Sequence, residues 1–162
     1  MIKPELRRLR WRNPLHWLAV GFGSGLSPVA PGTMGTLAAI PCYLLVMHWP
    51  LWAYGLLLLA GSLLGIIICD SATRAIGQED HGGIVWDEFM GYGVTMFAAP
   101  QGWVWVVLGF ALFRLFDVLK PWPIRWLDRH IHGGLGIMLD DLLAGLFAWL
   151  CLQAFVWSGW LA

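Results

Sequence analysis

The chain reads as an all-α polytopic membrane protein: a helical bundle of two helical hairpins plus a C-terminal transmembrane helix, with short interfacial helices. Three observations predict it. All 20 formally charged residues fall into three blocks, Lys3 to Arg12, Asp70 to Glu88 and Arg114 to Asp141. The stretches between them, 13–69, 89–113 and 142–162, are uncharged, apolar and rich in tryptophan, as segments in hydrocarbon are. Hydrophobic residues make up 59% of the 162 positions, more than a soluble domain of this length usually carries.

The elements follow in order along one membrane-embedded domain, 1–162. Residues 1–12 form a basic arm with Lys3, Arg7, Arg8, Arg10 and Arg12, and residues 13–33 a Gly/Pro-rich loop region. The first hairpin, 34–69, pairs Met34 to His48 with Leu51 to Cys69 across Trp49-Pro50; the second arm has 19 uncharged residues, about 28 Å of helix. The second hairpin, 85–118, is cut at Pro100-Gln101-Gly102, so both of its ends return to one side. Residues 119–141 form an interfacial segment; within it, Trp122 to Arg129 suits a surface helix with Arg125 and Arg129 on the headgroup side. Leu142 to Ala162 is the last crossing, with Trp157 and Trp160 as interfacial anchors.

Because basic residues favour the inner side, this topology puts all three charged blocks in the cytoplasm, with the N-terminus in and the C-terminus out. A net charge of zero excludes a protein that holds nucleic acid electrostatically. Cys42, Cys69 and Cys151 are widely spaced and read as packing residues, not as a disulfide framework or zinc site. The interrupted apolar run after the basic arm does not suit a removable signal peptide.

The carboxylates carry the most chemistry. Asp87-Glu88 precedes one apolar helix, Asp117 ends another and Asp140-Asp141 opens the last. Gathered at one membrane face, they suit a hard cation such as Mg2+, which takes oxygen ligands and keeps water for a phosphate to displace. The alternative is a helix cap at Asp140 and solvated or arginine-paired Asp87 and Asp117. Arg114, Asp117 and Lys120 fall on one helix flank, either a metal ligand between two phosphate partners or an ion-pair ladder. In Gly21 to Thr36, Ser24, Ser27, Thr33 and the backbone at Gly32 offer neutral donors to an anion; a plain Gly-rich turn is the other reading.

Familiar phosphatase signatures are absent. Cys69 and Arg74 are spaced too closely for a cysteine phosphatase loop, and neither Asp-x-Asp-x-Thr/Val nor Pro-Ser-Gly-His occurs. His81, His130 and His132 lie in polar loops without an assigned role.

Together, Gly21-Phe22-Gly23-Ser24-Gly25-Leu26-Ser27-Pro28 with Pro31-Gly32-Thr33, Ile84-Val85-Trp86-Asp87-Glu88-Phe89, Phe113-Arg114-Leu115-Phe116-Asp117 with Lys120-Pro121-Trp122-Pro123-Ile124, and Gly133 to Asp141 closely resemble phosphatidylglycerophosphatase A. The resemblance spans roughly 13–145. It implies a magnesium-dependent lipid phosphatase of the bacterial inner membrane that turns phosphatidylglycerophosphate into phosphatidylglycerol and phosphate. It implies an acidic site of Asp87, Glu88, Asp117, Asp140 and Asp141, with Arg114 and Lys120 as phosphate partners.

The mechanism expected is hydrolysis at the cytoplasmic interface, with Asp87, Glu88, Asp117 and Asp141 as metal ligands and Glu88 or Asp140 accepting the proton of water. Arg114, Lys120, Arg125 and the Ser27 to Thr33 loop would bind the phosphate. The rival classes are a small transporter or channel using the carboxylates as an ion path, and a purely structural membrane subunit.

Overall fold

The computed structural model describes residues 3–78 and 81–159, so Glu79, Asp80 and the expected anchor Trp160 lie outside the described residues. Seven α-helices follow one another: α1 (Pro14–Ala19), α2 (Pro31–Val46), α3 (Leu51–Ile76), α4 (Trp86–Thr95), α5 (Trp103–Leu119), α6 (Ile124–His130) and α7 (Gly133–Ser158). Short 3-10 helices, Pro4–Arg8 and Gly21–Leu26, flank α1, and no strand occurs among the described residues. The expected 13–33 loop region is therefore largely ordered helix and turn.

The breaks follow local chemistry. α2 and α3 each start at or just after a proline, whose missing N–H costs nothing at a helix start. α3 ends at Gly77 with φ 76°, and α5 starts after Gly102 with φ 128°, backbone conformations that side chains resist.

α7 is the hub. It packs against α3, α4, α5 and α6, while α2 packs on α4. The expected hairpins are thus neighbours in sequence more than in packing: α2 and α3 meet edge-to-face through Tyr43 and Tyr54, ring centroids 6.4 Å apart. Glycines at the α4–α7 contact, Gly91 and Gly145, let these two helices approach closely.

The two turns nevertheless sit at one end. The Gln101 amide donates to Nδ1 of His48 at 3.2 Å, joining the α4–α5 turn to the α2–α3 turn. From α7, Trp149 Nε1 and Gln153 Nε2 donate to the carbonyl of Phe97 at 2.8 and 3.2 Å. Trp49, Trp52 and Trp103 are exposed around this end, and Trp11, Trp17, Trp122 and Trp126 around the charged end. Two aromatic rings with apolar helix between them match the two interfaces of a bilayer.

α3 and α7, 26 residues each, are long and apolar enough to cross a membrane. Only 17% of the apolar stretch of α3 is buried, and Leu56, Leu59, Leu63 and Ile67 are exposed on it. A core helix of a soluble protein would be covered; this one is dressed for lipid.

α7 starts at Gly133, about two turns before the expected Leu142, so Asp140 and Asp141 lie inside the helix and cap nothing. A glycine-rich start had suggested a loop. Instead Gly134 lets α7 cross α3 closely: a Cβ there would strike the Ile66 carbonyl. The basic arm is also part of the fold, with Leu6 fully buried and Arg8 donating to the Ile76 carbonyl at 2.9 Å, which caps α3. Cys69 is buried as expected, but Cys42 is exposed and fills no core position.

Candidate active site

The site is built on a seam between α4 and α7. Gly91 and Gly145 face each other there: a Cβ on Gly145 would strike the Gly91 carbonyl, and one on Gly91 would lie 2.7 Å from the Asp141 carbonyl. Thr95 Oγ1 ties the same seam, bonding to the Gly91 carbonyl at 3.0 Å and the Gly145 carbonyl at 3.3 Å. The two helices run in the same direction, so stepping back one turn from Gly91 and Gly145 reaches Asp87 and Asp141. The glycine contact therefore sets one carboxylate against the other.

Both carboxylates are buried, and each keeps one oxygen, Asp87 Oδ1 and Asp141 Oδ2, without a hydrogen bond. Their neighbours are better satisfied. Glu88, next on α4, points at α2, where Gly32 and Gly35 leave room for its two oxygens and Thr36 Oγ1 donates to Oε2 at 3.4 Å. Arg114 Nη1 lies 3.5 Å from Glu88 Oε1 and 2.5 Å from Asp117 Oδ2, so one guanidinium serves two carboxylates. Its Nε is buried and makes no hydrogen bond.

Lys120 leaves the end of α5 in a left-handed conformation, φ 42°. This aims its ammonium at Asp128 Oδ1 of α6 and Asp140 Oδ2 of α7, both at 2.6 Å. Burial pulls the lysine down, but the facing Asp140 and Asp128 outweigh it and hold Lys120 above its ordinary range. Two ion pairs hold it in the charged form. Asp140 Oδ1 accepts from the Asp141 amide at 3.1 Å, which fixes the carboxylate in turn.

Asp87, Glu88, Asp117, Asp140 and Asp141 thus lie within electrostatic reach of one another, with Arg114 and Lys120 as their cations. Among the described residues, no three acidic, histidine or cysteine side chains surround one point as metal ligands would. What fits a cation is the pair of orphaned oxygens on Asp87 and Asp141. Magnesium is commonly held by one or two carboxylates and completed by waters and phosphate oxygens, which matches that pair.

The Gly/Pro segment divides. Gly32 and Thr33 lie in the first turn of α2, which no side chain caps, and Gly32 abuts Glu88 and Arg114. Ser24 Oγ donates to the Gly21 carbonyl and Ser27 Oγ to the Val29 carbonyl, both at 2.8 Å, so both hydroxyls hold their own loop. Arg125 stands apart on α6, its Nη2 donating to the Leu119 carbonyl at 3.1 Å. Sequence reasoning missed Thr36, Asp128 and the Gly91–Gly145 seam. Thr36 follows Gly32 by one helical turn, and that spacing was the available signal.

The family profile of phosphatidylglycerophosphatase A matches residues 17–156. The chain belongs to this family. The phosphatidylglycerophosphatase A of Escherichia coli K12 is 52% identical over 142 residues, covering 87% of this chain and 83% of that protein. That of Haemophilus influenzae is 44% identical over 147 residues, covering 88% and 89%. No solved structure matches significantly. The matched span takes in every carboxylate and cation of the candidate site.

The seam gives a direct test. Gly145→Ala is expected to push α4 from α7, because the obstacle is backbone and cannot swing aside. Overpacking of this kind costs about 1–3 kcal/mol. Phosphate release should fall at least about tenfold in protein that remains helical by circular dichroism. Unchanged turnover would mean that the seam does not set the Asp87–Asp141 spacing.

Proposed function

We propose that this protein hydrolyses the terminal phosphomonoester of phosphatidylglycerophosphate, giving phosphatidylglycerol and phosphate, with Mg2+ at Asp87 and Asp141. The observation that carries this reading is the pair of buried carboxylate oxygens without partners, each one helical turn before the Gly91–Gly145 contact, in a chain of this family. Bound there, magnesium would neutralise phosphate oxygens and supply an oriented water.

The protein's own groups account for the rest. Lys120 and Arg114 offer fixed positive charge to the phosphate as charge builds in the transition state. The first amides of α2, at Gly32 and Thr33, add donors from a helix N-terminus beside Arg114. Asp117, Asp128 and Asp140 hold the two cations in place. Glu88 and Asp140, expected to accept the proton of water, already have oxygens committed to Arg114 and Lys120.

A multi-pass arrangement in the bacterial inner membrane supports the chemistry: the acyl chains remain in lipid while the headgroup enters the charged end. The basic arm favours the cytoplasm for that end by the positive-inside rule. A transporter is disfavoured because the apolar lengths of α3 and α7, residues 51–69 and 142–158, contain no charged residue to line a crossing.

The deciding experiment is phosphate release from phosphatidylglycerophosphate by purified protein in detergent. Chelation is expected to lower it more than about a hundredfold, and added magnesium to restore it. Full activity in chelator would remove the metal from the reading, and no release under any condition would remove the substrate.

A further inference from the structure

The groove on the outer face of α6 is not used by the chemistry above. It is lined by Pro121, Trp122, Arg125, Trp126, Arg129 and His130 and encloses about 290 Å³. Arg125 and Arg129 stand one helical turn apart on α6 and are exposed. Trp122, just before the helix, and Trp126 on it are also exposed, with 81% and 51% of their surface uncovered. His130 stacks on Trp126 at 4.7 Å, and its Nδ1 donates to the Trp126 carbonyl at 2.7 Å. Arg125 spends one donor on the Leu119 carbonyl and keeps others for an anion.

The only acidic residue of α6, Asp128, is turned inward to Lys120 at 2.6 Å, so it does not neutralise these arginines. The same contact ties α6 to the catalytic cluster, because Lys120 also holds Asp140. The groove therefore begins at Pro121, directly after a residue of the site.

We propose that this groove binds the phosphodiester of the substrate, the phosphate that joins the headgroup glycerol to diacylglycerol and is not cleaved. The inference rests on the lipid phosphatase reading. Such a substrate carries two phosphates linked by one glycerol: a monoester for the acidic site and a diester closer to the bilayer surface. Two arginines match a diester anion, and two exposed tryptophans match the acyl-glycerol boundary where that anion lies. The groove thereby selects lipids in which the cleaved phosphate stands one glycerol beyond a second phosphate.

The product, phosphatidylglycerol, keeps the diester and lacks the monoester, which makes it a probe of the groove alone. In mixed micelles, Arg125→Gln/Arg129→Gln protein is expected to show KM for phosphatidylglycerophosphate raised about tenfold to a hundredfold, with kcat within about twofold. Inhibition by phosphatidylglycerol should weaken by a similar factor, while inhibition by inorganic phosphate, which addresses the acidic site, should shift much less. The Arg125→Lys/Arg129→Lys pair keeps the charge but loses the planar fork, and should fall between; it also covers a glutamine pair that fails to fold.

Unchanged KM and unchanged product inhibition would overturn the proposal. So would a fall in kcat at constant KM, which marks a structural role, or acceleration of the unaltered protein by phosphatidylglycerol, which marks a separate activating lipid. If the unaltered protein releases no phosphate from phosphatidylglycerophosphate, the parent reading fails and this one with it.

Discussion

Asp141→Asn protein is expected to lose phosphate release on the order of a thousandfold while unfolding no more readily than the unaltered protein in metal-free detergent. The two halves of this result have one cause. Asp141 Oδ2 is buried on α7 without a hydrogen bond, opposite Asp87, whose Oδ1 is equally without one. An unpaired buried carboxylate beside others is costly to the fold, and asparagine removes the charge at nearly constant shape. The same change removes half of the oxygen pair suited to a cation. Thermal unfolding with and without magnesium separates the effects: the metal should raise the midpoint of the unaltered protein and not that of Asp141→Asn. A variant that keeps its turnover would move the site elsewhere.

Arg114→Met is expected to cost about 3–5 kcal/mol of stability, because it leaves Glu88 and Asp117 confronting each other without their shared guanidinium. Few substitutions at this charged end should be worse. Activity should also be lost, since both carboxylates are free to turn toward the metal pair and the substrate loses a fixed positive charge. The double variant Arg114→Met/Glu88→Gln removes one of the stranded charges. It should regain a large part of the stability and none of the activity. Equal instability of single and double variants would show that Glu88 and Arg114 are not coupled in this way.

The sequence made the gathering of these carboxylates legible and its internal division opaque. Three acidic motifs beside apolar helices were enough to anticipate one acidic cluster, because charged groups next to hydrocarbon must gather where they can be paired or hydrated. That Asp87 and Asp141 stand apart from Glu88, Asp117 and Asp140 depends on which helix faces which, and periodicity within one helix carries no such information. Ser24 and Ser27 show the same limit: a hydroxyl in a Gly-rich segment looks like an anion donor until its own loop claims the proton. For the fold, Pro100-Gln101-Gly102 lies in the break between α4 and α5. The early start of α7 was hidden because Gly133, Gly134 and Gly136 suggest a loop by helix propensity in water, whereas close helix crossings in lipid favour small residues.

The contact of main chain on main chain between Gly91 and Gly145 gives the separation of the two carboxylates an unusual kind of rigidity. Side-chain seams creep by tenths of an ångström as their residues are exchanged. At the Gly91–Gly145 contact itself there is no side chain to exchange. Its natural unit of change is a register slip, about 1.5 Å of rise and 100° of rotation for each residue inserted or removed. Substitutions on the lipid face of α3 or in the outer turns can then accumulate without touching the reactive spacing. A single-residue deletion between Asp141 and Gly145 would destroy it outright, as a gear loses its mesh by a tooth.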